Sequence, residues 1–302
     1  MRLARPAIVP ALLTPFDRDG AVDRDALRAH VAWLVEQGVD GLMPCGTTGE
    51  TAMLTDDEVI EVVEAAVAAA GGRIPVIAHV GRPATRATIE LGRRALDSGA
   101  EAVSAVVPYY HPLEREQILG HYRALMDALG ADRVLAYCIP SHSQNELHAD
   151  SLGALAREGL AGFKDSTMDA DHHDAYLRAV RASGRDDFAL LVGQAALLLR
   201  SLRGGSAGAV LGIANLRPEL ACRVRDAFRD GDTAEAERVQ EELSGAEAAA
   251  KPFPVLKREV ARRLRTEAGI EYGPDMRAPV GAAGLVRARS SAPERVRSEV
   301  LP

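Results

Sequence analysis

The chain has 302 residues, of which 47 % are hydrophobic and 26 % are charged. This is enough apolar material to bury one large core, which excludes intrinsic disorder for most of the chain. A formal net charge of -7 and an aromatic content of 4 % give no electrostatic reason to bind a phosphate backbone or an anionic membrane. We therefore expect neither nucleic acid nor a membrane among its partners.

Localisation and redox chemistry follow from what the sequence lacks. No apolar run approaches the roughly 18 residues that a membrane span requires, and the first ten residues lack the apolar core of a secretory signal. The three cysteines, Cys45, Cys138 and Cys222, are an odd number without metal-ligand spacing. We therefore expect a cytoplasmic protein without a disulfide framework or a zinc site.

Short apolar runs alternate with helix-length segments along most of the chain. The first run covers residues 7–13 and precedes an amphipathic helix over 23–37. The second run, 41–44, precedes a loop and a capping box that begins at Thr55 and ends at Glu58. The remaining predicted strands are 75–79, 102–107, 134–137, 160–163, 189–192 and 208–211, and the helices between and after them are 85–98, 114–129, 150–157, 169–183, 194–203 and 218–230.

Eight strand–helix units within residues 1–230 favour a closed barrel over a doubly wound open sheet, because no linker among them is richer in Pro, Gly or Ser than an ordinary loop. The sequence thus predicts an α/β protein with a (β/α)8 TIM barrel over 1–230. Residues 231–286 are predicted as a C-terminal helical extension, with helices over 234–243 and 251–265. Residues 287–302 are predicted as a disordered tail.

Lys164 is the most informative polar residue of the predicted barrel. In such a barrel the active site lies where the strands end, and Lys164 directly follows an apolar strand. Its side chain would point into the barrel mouth, where the loss of solvation favours a neutral, nucleophilic amine. The alternative is a structural ion pair with a nearby carboxylate.

Two further features at strand ends suit proton transfer and anion binding. Tyr137 ends the fifth predicted strand, and its phenol can donate and accept a proton; the alternative is a core tyrosine bonded to the backbone. Gly46, Thr47 and Thr48 offer backbone N–H groups and two hydroxyls in a turn that could hold a small carboxylate. This loop lacks the ending of a nucleotide-binding P-loop.

The histidines and cysteines do not predict a metal site. The eight histidines are scattered, and His172 and His173 would project about 100° apart on a helix, which disfavours a shared ligand role. Cys45 and Cys138 follow predicted strands, and we interpret both as buried, unreactive thiols.

Six segments taken together resemble the dihydrodipicolinate synthase / N-acetylneuraminate lyase family. They are Ala11-Leu12-Leu13-Thr14-Pro15-Phe16, Gly46-Thr47-Thr48-Gly49-Glu50, Pro108-Tyr109-Tyr110, Tyr137-Cys138-Ile139-Pro140, Gly162-Phe163-Lys164-Asp165-Ser166 and Ala214-Asn215. The resemblance implies a (β/α)8 barrel with a C-terminal helical extension, a homo-oligomer (dimer or tetramer, commonly a homotetramer), and a class I Schiff-base mechanism without metal or cofactor.

The resemblance also implies roles for individual residues. Lys164 would form the imine with C2 of pyruvate or another 2-oxo acid, and Tyr137 would relay protons. Thr47 would help to bind the carboxylate and join the relay, and Tyr110 would reach toward a neighbouring subunit to complete it. The predicted substrate-binding positions are Thr48, Gly46, His142, Gly193 and Val210.

The departures from the family pattern concern the second substrate. His142 stands five residues after Tyr137, where the lysine-pathway synthases have an arginine for the carboxylate of the aldehyde partner. A histidine cannot supply the bidentate fork, which disfavours aspartate semialdehyde. Gly193 is followed by Gln194-Ala195-Ala196 where sialic acid lyases have an acidic pair, and Cys138 replaces the asparagine of the synthases.

The sequence therefore predicts a lyase that makes or breaks a carbon–carbon bond between a 2-oxo acid and an aldehyde, such as a 4-hydroxy-2-oxo acid aldolase. The alternatives within this class are 4-hydroxy-tetrahydrodipicolinate synthase itself and a dehydratase that acts on a 2-oxo-3-deoxy acid. The alternative from a different class is a non-catalytic barrel that senses a 2-oxo acid. A sensor is disfavoured because it needs no nucleophile together with a proton relay.

Overall fold

The computed structural model describes residues 3–277 and has a single parallel sheet in that range. The strands lie in the order β1-β7-β6-β5-β4-β3-β2, and every pairing is parallel. Their bounds are β1 Ala7–Pro10, β2 Ile77–His79, β3 Ala102–Val106, β4 Val134–Cys138, β5 Gly162–Asp165, β6 Ala189–Val192 and β7 Gly208–Leu211. The predicted α/β class is confirmed.

Helices follow the strands, as the alternating pattern predicts. Their bounds are α1 Arg24–Glu36, α2 Asp56–Ala70, α3 Thr85–Asp97, α4 Arg115–Leu129, α5 Pro140–Ser143, α6 Ala149–Arg157, α7 Ala170–Ala182, α8 Leu198–Arg203, α9 Pro218–Asp230, α10 Thr233–Ala249 and α11 Phe253–Ala268. The capping box at Thr55 and Glu58 starts α2 as predicted, with both of its hydrogen bonds formed. None of the helices within 3–277 is long and apolar enough to cross a bilayer.

The prediction of a regular strand over residues 41–44 is wrong, because this segment forms only isolated parallel bridges. It nevertheless joins both edges of the sheet. The Met43 N–H donates to the Pro10 carbonyl at 2.9 Å, and the Ile77 N–H donates to the Leu42 carbonyl at 2.8 Å. The seven-stranded sheet is therefore curled so that β1 and β2 flank the same segment.

The chemistry of Pro44 and Cys45 explains why no eighth regular strand forms. Pro44 has no N–H to donate to a ladder, and Cys45 has a left-handed backbone with φ of 60°. The extended conformation therefore ends after two paired residues, and the chain turns directly into the loop that carries Thr47 and Thr48.

Side chains alternate between the inside of the curled sheet and the helices around it. Small and branched residues such as Val9, Leu135 and Leu191 form a separate inner core. Toward the carboxyl ends of the strands the inner positions become polar, with Tyr137 on β4 and Lys164 on β5 at paired positions in the ladder. This change of polarity places the candidate site at the strand ends.

The described residues after α9 form two helices and an irregular segment that ends at Arg277. The helices predicted over 234–243 and 251–265 correspond to α10 and α11, which both end later than predicted, while α11 also begins two residues later. The tail predicted over 287–302 lies outside the described residues.

Candidate active site

Lys164 lies inside the mouth of the curled sheet without a carboxylate partner. Its side chain is 4 % exposed, and its ammonium nitrogen is 4.2 Å from the centre of the Tyr137 ring. Within the described part of the chain no ion pair or hydrogen bond is formed by this ammonium group. A structural ion pair, the alternative considered from sequence, is therefore not what holds it there.

The chain has two other lysines, and neither is placed for nucleophilic chemistry. Lys251 is half exposed on the surface, 3.9 Å from Glu247, so its amine is hydrated. Burial lowers the pKa of the fully buried Lys257, but its ammonium donates to Glu50 Oε1 at 2.6 Å, and this ion pair opposes the shift and occupies the amine. Lys164 is thus the lysine that combines burial with freedom from a carboxylate.

Tyr137 connects the lysine to the predicted carboxylate loop. Its side chain is 1 % exposed, and its hydroxyl is 3.2 Å from Thr47 Oγ1, a hydrogen bond in which either group could donate. The two residues are 90 positions apart in sequence. The structure therefore brings Lys164, Tyr137 and Thr47 together, and a proton can pass between two hydroxyls beside an amine.

The loop over residues 46–50 is built from close backbone contacts. A side chain on Gly49 would place its Cβ 2.7 Å from the Leu12 carbonyl oxygen, so only glycine fits. The Thr14 hydroxyl donates to the Gly49 carbonyl at 2.8 Å. Glu50 then takes a left-handed backbone with φ of 63°, a conformation that a non-glycine residue keeps only when its surroundings hold it. The loop that carries Thr47 is therefore tightly fixed at its carboxyl end.

Gly193 lies where β6 ends, beside the residues that follow Lys164. A Cβ there would lie 2.0 Å from Ser166 Oγ and 2.8 Å from the Asp165 carbonyl oxygen. The Gly193 N–H donates to the same carbonyl at 2.6 Å. A glycine is thus required so that the ends of β5 and β6 can approach closely.

Two of the other predicted site residues, Tyr110 and His142, are exposed, whereas Thr48 and Val210 are buried. Tyr110 is 75 % exposed and has a left-handed backbone with φ of 83°. His142 is exposed on α5, and its Nδ1 is 2.9 Å from Ser141 Oγ. Val210 is buried in the inner core on β7, while Thr48 is buried at the loop.

His79 was not identified from the sequence as a site residue, although it ends β2. Its ring lies edge-on to Tyr137 with 5.7 Å between ring centres. Burial, together with the charges of Lys164 and Arg82, lowers the pKa of His79 to about 3, so its imidazole is neutral. The signal was available, since His79 ends an apolar strand in the same way as Lys164.

A buried polar chain behind Lys164 was also missed. Asp165 Oδ2 is 2.7 Å from His173 Nδ1, and His173 Nε2 is 2.7 Å from Ser201 Oγ. All three side chains are buried, so this chain braces the end of β5 against α7 and α8. Alternation along β5 could have predicted that Asp165 points outward, but no local pattern marks Ser201.

Cys45 and Cys138 are buried, as interpreted from sequence, and the third cysteine, Cys222, is buried as well. All three thiols are free. Burial raises the pKa of each thiol to about 12, which suppresses the reactive thiolate. Within residues 3–277 no group of three or more His, Cys, Asp or Glu side chains could hold a metal ion.

Comparison with known proteins identifies relatives along nearly the whole chain. The family model described as the dihydrodipicolinate synthetase family matches residues 5–285. An uncharacterised DapA-like lyase of Halobacterium salinarum is 38 % identical over 275 residues, which cover 90 % of this chain and 87 % of that protein. A 4-hydroxy-tetrahydrodipicolinate synthase of Methylobacterium radiotolerans is 37 % identical over 250 residues, covering 81 % of this chain and 82 % of the relative.

Solved structures of the same family have the same fold. YagE of E. coli K12, a prophage protein of the dihydrodipicolinic acid synthase family in complex with pyruvate, has a TM-score of 0.84 at 25 % identity, covering 91 % of this chain and 92 % of its own. Dihydrodipicolinate synthase from Aquifex aeolicus has a TM-score of 0.81 at 28 % identity, covering 93 % of each chain. The chain therefore belongs to the dihydrodipicolinate synthetase family, as a dihydrodipicolinate synthase-like lyase of the aldolase type.

Proposed function

We propose that Lys164 forms a Schiff base with pyruvate or another 2-oxo acid and that the chain makes or breaks a carbon–carbon bond to an aldehyde. One observation carries the proposal: a buried lysine without a carboxylate partner stands over the ring of a tyrosine that is hydrogen-bonded to Thr47. An amine in such surroundings is suited to nucleophilic attack on a carbonyl.

The proposed reaction assigns each group a step. The neutral Lys164 amine adds to C2 of the 2-oxo acid, and the carbonyl oxygen leaves as water to give a protonated imine. Loss of a proton from C3 gives an enamine, and C3 then attacks the carbonyl carbon of the aldehyde, whose oxygen takes up a proton. Tyr137 and Thr47 move these protons through their shared hydrogen bond. Water finally hydrolyses the imine, and cleavage follows the same steps in reverse.

The carboxylate of the 2-oxo acid is assigned to the loop over residues 46–50. The Thr47 hydroxyl lies 3.2 Å from Tyr137, and the Thr48 hydroxyl lies 3.3 Å from where a Cβ on Gly212, which follows β7, would be. Gly46 leaves open space at the start of this loop. Gly193 and Val210 are assigned to the opposite wall. Hydrogen bonds from hydroxyl and backbone groups would orient the acid so that C2 faces Lys164.

Condensation with aspartate semialdehyde is the second candidate function, favoured by relatives that are named 4-hydroxy-tetrahydrodipicolinate synthase. Against it stands His142, which is exposed and offers no bidentate cationic group for a second carboxylate. An aldehyde without a carboxylate is therefore the preferred second substrate. A dehydratase that uses the same imine is a third candidate.

We further propose the complete architecture of a (β/α)8 barrel over 1–230 with a C-terminal helical extension over 231–286. The segment 41–44, which joins both sheet edges, supports a closed barrel. We propose that the protein acts in the cytoplasm as a homo-oligomer, a dimer or a tetramer. The exposed Tyr110 supports an oligomer, because a neighbouring subunit would cover its ring.

Trapping with borohydride tests the proposed chemistry. The full chain is incubated with single 2-oxo acids, with and without a panel of aldehydes, and then reduced with borohydride. The mass of the intact chain is measured by mass spectrometry. We expect one reduced 2-oxo acid per chain, and an aldehyde that reacts should lower the trapped fraction by drawing the enamine into product. If no 2-oxo acid is trapped, the Schiff-base proposal is wrong.

A further inference from the structure

The buried ion pair between Lys257 and Glu50 joins α11 to the proposed carboxylate loop. The two residues are 207 positions apart, and their side chains are 0 % and 1 % exposed. Lys257 Nζ donates to Glu50 Oε1 at 2.6 Å, and the Arg277 N–H donates to Glu50 Oε2 at 2.7 Å. Both oxygens of one carboxylate are thus held by the C-terminal part of the chain.

The position of Glu50 makes this pair relevant to the site. Glu50 ends the loop in a left-handed conformation, and its N–H donates to the Thr47 carbonyl at 3.1 Å. The next N–H, of Thr51, donates to the Gly46 carbonyl at 3.2 Å. A change in the orientation of Glu50 would therefore rotate the peptide groups on either side of Thr47.

The same helix also lies close to the mouth of the sheet. A Cβ on Gly212, which directly follows β7, would lie 3.3 Å from Thr48 Oγ1 and 3.6 Å from Leu256 Cδ2. Leu256 is the neighbour of Lys257 on α11, so this helix turn approaches both Thr48 and Glu50.

An aromatic ring completes the surroundings of the ammonium group. Lys257 Nζ is 4.3 Å from the centre of the Phe16 ring, and the Arg277 guanidinium carbon is 4.7 Å from the same ring. The buried amine is thus surrounded by partners that keep it in place at Glu50 rather than at the reacting carbon.

We infer that Lys257 is a positioning residue for the proposed site: by holding Glu50 it fixes the Thr47–Thr48 loop in the conformation that binds the carboxylate of the 2-oxo acid. The inference rests on the proposed function. It means that α11 determines the affinity for the 2-oxo acid although it contributes no reacting group.

Steady-state kinetics of the Lys257→Met and Glu50→Gln variants, with pyruvate varied against a fixed aldehyde that reacts in the trapping panel, test the inference. Met keeps most of the buried volume without the charge, whereas Gln keeps an acceptor for Lys257 and loses one for the Arg277 N–H. We expect KM for pyruvate to rise about tenfold or more in Lys257→Met and less in Glu50→Gln, with kcat within about threefold of the wild type. A general loss of structure would instead lower the active fraction and leave KM unchanged.

The matched control is Lys251→Met, which removes the half-exposed lysine that lies 3.9 Å from Glu247. Its KM should equal that of the wild type. If Lys257→Met does not fold, Glu50→Gln decides, because it keeps the shape of the side chain and removes the carboxylate charge that pairs with Lys257. An unchanged KM in every folded variant of the pair would overturn the inference. If the wild type traps no 2-oxo acid with borohydride, the proposed function fails first and the inference fails with it.

Discussion

Replacement of Tyr137 by phenylalanine should affect catalysis far more than stability. The substitution removes one hydroxyl from a side chain that is 1 % exposed and leaves the ring that faces Lys164. The lost hydrogen bond to Thr47 is 3.2 Å long, and a net hydrogen bond of this kind is worth about 0.5–1.5 kcal/mol. Because Thr47 is partly exposed, water can replace the missing partner.

The expected loss of rate is much larger. A general acid–base group contributes about 10²–10⁴-fold to the rate, which corresponds to about 3–5 kcal/mol in the activation barrier. We expect kcat to fall by this factor, while urea unfolding changes by no more than about 1.5 kcal/mol. Borohydride trapping with pyruvate should also become slower, because imine formation needs the same proton transfers.

Tyr176→Phe provides the control. Tyr176 is equally buried, and its hydroxyl donates to the Leu147 carbonyl at 2.7 Å on the outer side of the sheet. This variant should lose at least as much stability as Tyr137→Phe, while its kcat should stay within about threefold of the wild type. If Tyr137→Phe keeps full activity, or if both variants lose activity in proportion to stability, Tyr137 is a structural residue and the proton relay is wrong.

Three further predictions concern other parts of the molecule. Gly193→Ala should lower kcat about tenfold or more and destabilise the fold by about 1–3 kcal/mol, because its Cβ would lie 2.0 Å from Ser166 Oγ. The control is Gly120→Ala, whose Cβ would lie in open space and which should change neither kcat nor stability by these amounts. Burial lowers the pKa of His30 to about 3. Below about pH 6.5 this histidine therefore binds a proton in the unfolded chain and stays neutral in the folded chain. The free energy of unfolding should therefore fall between pH 7 and pH 5 by about 2 kcal/mol less in His30→Phe than in the wild type. Urea unfolding at both pH values measures this difference, and an equal fall in the two proteins would contradict the assignment to His30. His142→Arg should raise kcat/KM for aspartate semialdehyde relative to a neutral aldehyde. The gain should be at most about tenfold, because the position is exposed and solvent screens the added charge. If the wild type already prefers aspartate semialdehyde and the variant does not improve, another cation binds that carboxylate.

The sequence predicts the part of the site that depends on strand ends. Apolar runs mark the strands, so the residues that follow them, including Lys164 and Tyr137, are expected to meet at one end of the sheet. The pairing of these two positions in the β4–β5 ladder confirms that expectation of proximity. Their catalytic roles remain proposals.

The features that sequence reasoning missed depend on tertiary contacts between distant segments. Glu50 and Lys257 are 207 positions apart, and nothing in the helical pattern of α11 distinguishes a buried lysine from an exposed one. The strand over residues 41–44 was predicted from apolar composition alone, although Pro44 cannot donate to a ladder. His79 was visible as an inward-pointing strand end, but single histidines in apolar runs are more often core residues than site residues.

The position of the trapped 2-oxo acid in the chain shows which lysine forms the imine. The sequence contains three lysines, Lys164, Lys251 and Lys257, so peptide mapping after incubation with pyruvate and borohydride has three possible answers. We expect one reduced pyruvyl group on the peptide that carries Lys164 and none in the Lys164→Arg variant, whose guanidinium stays protonated and cannot attack. A label on Lys251 or Lys257, or a label that persists in Lys164→Arg, would contradict this expectation.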